Sequence, residues 1–176
     1  KWLLDKKRRI DSKVNVRIGV KVPFKGKSFL ICHGNHFSKQ CQIYGDKILV
    51  ANDAEEAGLQ VRNFLIKEIK DTATPLVLKF SKMIGEKHKN IKFKDTKSRW
   101  GSCTSDKTLM LSWRLIMAPE AVLEYVIAHE VAHLRHMNHG AKFWETVKIL
   151  CKDYKALRKW VRSEGVTLFN YNFSES

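Results

Sequence analysis

Residues 129–139 hold four of the chain's seven histidines. Two of them frame the stretch His129-Glu130-Val131-Ala132-His133. On a helix, residues four apart lie one turn apart on the same face, so both imidazoles can reach one metal ion. Glu130, beside the first ligand, can reach a water held by that ion. Neutral imidazole suits zinc, and a single Zn2+ is the expected cofactor.

A catalytic zinc takes three protein ligands and keeps a fourth position open. His136 and His139 compete for the third place. On a continuing helix His136 would stand ~10 Å along the axis from His129, a stretched geometry for a tetrahedral ion. His139 follows Asn138 and precedes Gly140, where the chain can turn back over the first two rings. The turn favours His139. The spacing H-E-x-x-H-x5-H also matches metzincins, although His136 replaces their usual turn glycine. Packed, hydrogen-bonded histidines are the plainer alternative. Against them, Val126, Ile127 and Val131 make the helix largely apolar, and a buried Glu130 with two histidines is costly without a metal.

Other residues offer weaker chemistry. Arg99 in a loop and Arg114 at the end of a strand could each clamp a phosphate or carboxylate. Arg114 could instead pair with Glu120 or Glu124. Trp100 and Trp113 could stack a base, though core packing is the favoured role. Trp144 and Cys103 read as packed residues. The spacing of Cys32, His33, His36 and Cys41 fits no strong zinc pattern and reads as loop surface.

The elements that must position these groups follow from periodicity. Val14 to Val22 alternate apolar and polar, as a strand would, until Pro23. Further strands are expected at 28–32, 41–44 and 47–51, the last two joined by a Gly45-Asp46 turn, in an antiparallel sheet. Asn52 or Asp53 can cap a long helix from Ala54, which Pro75 interrupts or restarts and Gly85 ends. Ile91 and Phe93 open a strand, 97–106 forms a loop or bulged hairpin, and 108–115 is a strand beside it. Helices follow from Pro119 past His133, then over 141–151 and 154–163. This is an α+β chain: a strand-rich part, residues 1–52, and a helical part, residues 53–176, packed on a small antiparallel sheet.

The chain has 176 residues, 44% of them apolar, enough for a real core. It carries 33 Lys and Arg against 18 Asp and Glu, a net +15, which attracts polyanions but names no partner. Nucleic acid is compatible with that charge, yet no motif indicates it. No apolar run approaches the ~20 residues that span a bilayer, so no membrane role is expected. With no signal-peptide pattern, four reduced cysteines in a cytoplasmic protein are the simplest expectation. The chain begins at Lys1 rather than Met, which leaves room upstream for a short targeting segment.

KSRWGSC (97–103), LSWRLIMAPEAVLEYVIAHEVAHL (111–134) and MNHGAKFW (137–144) closely resemble the YgjP-like metal-dependent hydrolases. These are zincin-type proteins, related at motif level to the SprT and WLM families. The likeness runs over residues 60–163, and the N-terminal strands match loosely. It implies a zincin-like helical core, zinc held by His129, His133 and His139, a catalytic Glu130, and no ligand role for His136. Gly140 stands where the family often has serine. The resemblance leaves the substrate open, since metallopeptidase activity and cleavage of UTP to UMP and pyrophosphate are both associated with the family.

The expected reaction is hydrolysis by metal-activated water with Glu130 as general base. The substrate is a peptide, which strand 108–115 could hold by backbone pairing, or alternatively a nucleoside triphosphate. A nucleic-acid-binding module with a structural zinc is a third reading. It leaves an acidic base beside two ligands without a purpose.

Overall fold

The structure, a computed structural model, describes residues 13–34, 40–51 and 56–173. Gly19, at φ +85°, splits the expected first strand into β1 (Val14–Asn15) and β2 (Lys21–Phe24). Pro23 lies inside β2 instead of ending it. β2 is an edge strand, where a missing N–H is tolerated. Lys25 and Gly26, at φ +49° and +76°, form a two-residue turn of the mirror-image kind that suits strand twist. The turn leads into β3 (Lys27–His33).

β4 (Gln42–Tyr44) turns back at Gly45 into β5 (Lys47–Val50), and the sheet order is β2-β3-β5-β4. The sheet is mixed rather than wholly antiparallel. The chain reverses direction into β4 and again into β5, so β5 enters beside β3 running parallel to it.

α1 (Ala57–Met83) is continuous for 27 residues and contains Pro75. Ala57, Val61, Leu65, Ile69, Ala73 and Val77 recur every four residues and are all buried. A proline inside a helix costs ~3 kcal/mol. Burial of each large aliphatic side chain on this stripe contributes ~1.5–3 kcal/mol, so packing outweighs the break. Pro75 itself is exposed, and water can serve the carbonyl it leaves unpaired. Gly85, at φ +67°, closes the helix as expected. The Asn52 and Asp53 caps and the helix start at Ala54 lie outside the described residues.

The second sheet contains β6 (Asn90–Lys94), β7 (Gly101–Cys103) and β8 (Thr108–Ser112) in the order β6-β8-β7. It too is mixed: β8 runs parallel to β6 and antiparallel to β7. β8 ends at Ser112, earlier than expected, and Trp113–Met117 is a 3-10 segment carrying Arg114. α2 (Glu120–Ala132), α3 (Ala141–Leu150) and α4 (Tyr154–Ser163) follow. A 3-10 segment, Gly165–Asn170, then leads to β9 (Tyr171–Asn172), which pairs with β1.

The fold class is α+β, and one apolar cluster runs from Val16 to Phe173. The tip of the β2–β3 hairpin docks on the segment that enters α2. There the Lys25 and Gly26 N–H groups donate to the Ile116 and Met117 carbonyls (2.8 and 3.2 Å). Among the described residues no helix is long and apolar enough to cross a membrane.

Candidate metal centre

α2 reads EAVLEYVIAHEVA; Glu120 and Glu124 face solvent in its first turns, and from Tyr125 to Ala132 every residue is buried, so this half of the helix must be surrounded. It packs against α1, α3, α4 and the second sheet. His129 and Glu130 are therefore only 4% and 2% exposed. The helix stops at Ala132, and the N–H groups of Leu134, Arg135 and His136 close a last tight turn onto Val131 and Ala132. That turn sends the chain back, and His139 arrives over the helix end.

His129 Nε2 and His139 Nε2 lie 3.1 Å apart, and one nitrogen from each of His129, His133 and His139 lies within 4.8 Å of the others. Two nitrogens bound tetrahedrally at ~2.1 Å to one zinc stand about 3.4 Å apart, so the cluster has the dimensions of a metal site. His133 Nδ1–H donates to the His136 carbonyl (2.9 Å), which leaves Nε2 for a metal. His136 thus contributes its backbone rather than its ring. On α3, Phe143 packs against all three imidazoles, with ring centroids 4.9, 4.5 and 4.7 Å away, and limits how far they can swing.

Burial pushes the His129 pKa down to about 2, and His133 and His139 add to the effect. Burial also lowers the pKa of His133 and of His139. The three rings are therefore neutral at physiological pH, the form a cation requires. Distances, charge state and donor type all fit a divalent metal.

Glu130 meets the backbone of β7. A Cβ on Gly101 would lie 2.6 Å from Glu130 Cγ and Oε1. Only glycine leaves room for the carboxylate there. Gly101→Ala is expected to displace Glu130 and cut hydrolysis ~10²-fold, the cost of a misplacement near 1 Å, with zinc content unchanged by metal analysis. Sequence reasoning passed over Gly101, and its signal was slight: one glycine in a stretch of small residues. The Cys103 thiol is raised to about 11, first by burial and then by the Glu130 charge, which suits a packed, unreactive cysteine.

The three histidines and Glu130 open on a cleft of about 470 Å3. Ser98, Arg99, β7 and Met137 complete its lining. Arg99 is thus brought to the cluster, while Arg114 and Trp100 are not. Arg114 is buried; its Nε and Nη2 donate to Asp95 (2.8 and 3.2 Å) and its Nη1 to the Leu168 and Tyr171 carbonyls (3.1 and 2.9 Å). Its ionic partner is Asp95 rather than Glu120 or Glu124, and its donors are committed to holding the C-terminal segment. Arg114→Ala should lower unfolding stability by ~2 kcal/mol or more in urea titration, a figure already reduced because Asp95 is partly solvated.

Trp100 is buried against Phe169, centroids 4.6 Å apart, and against Gly165, so no face is left for a base. Trp113 packs edge-on against Phe173. Strand β8 cannot accept a peptide as expected for 108–115, because β6 and β7 occupy both its sides. β6 and β7 are the two edge strands, and β7 lines the cleft. Among the described residues Cys32, His33 and Cys41 do not assemble with other ligands into a metal-holding group, and His36 lies outside those residues.

A family model described as YgjP-like, metallopeptidase domain, matches residues 1–164. The chain belongs to the YgjP-like family. As a member it is a metallopeptidase-like, metal-dependent hydrolase. Among solved structures it is similar to the metallopeptidase zymogen abylysin of Pyrococcus abyssi. That match has 18% identity and a TM-score of 0.46, over 52% of this chain and 95% of that one. It is also similar to the metallopeptidase zymogen jannalysin of Methanocaldococcus jannaschii, at 28% identity and a TM-score of 0.38, with the same two coverages. No curated protein matches the chain.

Proposed function

We propose that the chain is a zinc peptidase that cleaves extended polypeptide segments. The observation that carries this reading is three neutral imidazole nitrogens within 4.8 Å of one another, beside a buried carboxylate held against an edge strand. His129, His133 and His139 would hold the ion, and zinc is the ion that such nitrogens suit. When bound, it supplies Lewis-acid chemistry, polarising a carbonyl and acidifying a water molecule.

Glu130 accepts the proton of the attacking water on its carboxylate and returns it to the departing amine. Gly101 gives that carboxylate its place. The free edge of β7 offers N–H and C=O groups to an extended substrate, which lies across the cleft as an added strand. Arg99, exposed on the cleft wall, is positioned to pair with a substrate carboxylate. Residues 53–176 carry this apparatus, and the hairpin of β2 and β3 braces the entry to α2.

Unfolded protein and peptide libraries, incubated with zinc-loaded protein and read by mass spectrometry, test the proposal. Cleavage should disappear on chelation and return with zinc. No cleavage of any peptide, with nucleoside triphosphates turned over to monophosphate and pyrophosphate instead, would overturn it.

A further inference from the structure

The loop that supplies Ser98 and Arg99 to the metal cleft supplies Asp95 and Lys97 to a second cavity, of about 620 Å3. Lys13 before β1, Arg62 on α1, Lys97 and Arg114 all line this cavity. Asp95 is the one carboxylate among its described lining residues, and Arg114 consumes it. Lys13, Arg62 and Lys97 form no ion pair among the described residues. Arg62 Nε is sealed from solvent with no hydrogen-bond acceptor among the described residues. A charged donor left in that state is costly, and the Arg62 side chain that carries it lines a cavity of small-molecule size.

Three uncompensated cations from three separate chain segments repel one another across that space. A compact oxyanion with several charges removes the repulsion by pairing with these cations. We infer that this cavity binds a small, multiply charged phosphate compound, at a site independent of the metal centre. Five chain segments, carrying Lys13, Arg62, Asp95 with Lys97, Arg114 and residues 169–173, surround the volume and set the size of the ligand. Phe169 contributes an apolar wall against which an organic portion could rest.

Pyrophosphate is the probe, titrated calorimetrically into full-length protein stripped of metal on a chelating resin. One saturable site is expected, and it should persist in His129→Ala. Arg62→Gln and Lys97→Glu should each weaken binding by about tenfold or more, the loss of one charged contact. Lys148→Glu makes the same charge change as Lys97→Glu on an exposed position of α3 and should leave affinity unchanged. Lys97 is exposed, so its variant keeps the test valid if Arg62→Gln fails to fold. Equal weakening by Lys148→Glu would mean diffuse attraction to a +15 chain and would overturn the site. So would loss of binding in His129→Ala, citrate binding as tightly as pyrophosphate, or preference for a single-stranded oligonucleotide.

Discussion

Glu130→Gln should reduce peptide hydrolysis by ~10²–10⁴-fold, the usual contribution of a positioned general base. Glutamine matches glutamate in size, so it fits the space beside Gly101 and leaves the packing of α2 intact. It cannot accept the proton of the attacking water. Zinc content should stay at the wild-type level, because Glu130 lies outside the three-histidine group. The loss should fall on kcat rather than KM, since the carboxylate acts on the water and not on the bound peptide. Steady-state kinetics with a peptide found in the library screen, together with metal analysis, check both halves. Retention of more than about a tenth of wild-type kcat would remove Glu130 from the base role.

The second large effect separates two histidines only three positions apart. His139→Ala should lose zinc and with it all hydrolysis, because Nε2 of His139 stands 3.1 Å from that of His129 in the cluster. The loss of affinity should exceed the ~10–100-fold that follows removal of a group outside the ligand set. His136→Ala should bind zinc almost as the wild type does. Its part is the carbonyl that accepts from His133 Nδ1, and alanine keeps that carbonyl. Competition titrations with a chromophoric chelator give both affinities. The reverse order of effects would mean that His136, not His139, completes the ligand set.

Much of the fold was readable from local pattern. The four-residue recurrence along α1, the turn at Gly45, the stop at Gly85 and the helices after Gly140 were expected and are present. Failures came where a local rule met a tertiary one. Pro75 argued for a break in α1, yet the buried stripe on the opposite face holds the helix together. Alternation from Val14 to Val22 argued for one strand, yet Gly19 turns the chain so that β1 can join β9 at the far end of the sequence. Both sheets were expected to be antiparallel and are mixed, because strand order depends on where the chain re-enters, which periodicity does not report.

The site divides in the same way. Local pattern sufficed to place His129 and His133 on one helical face beside Glu130, and to allow a turn near Asn138 and Gly140 that returns His139. Those are consequences of helix pitch and turn chemistry, which act over a few residues. Tertiary structure alone decided which arginine reaches the cleft, which strand has a free edge and why residue 101 is glycine. Arg114 spends its donors on Asp95, Leu168 and Tyr171, which lie 19, 54 and 57 positions away. Gly101 answers to a carboxylate on another element. A side chain's type states which bonds it can make; only the folded arrangement of distant segments determines which of them it makes, since each donor and each volume can be used once.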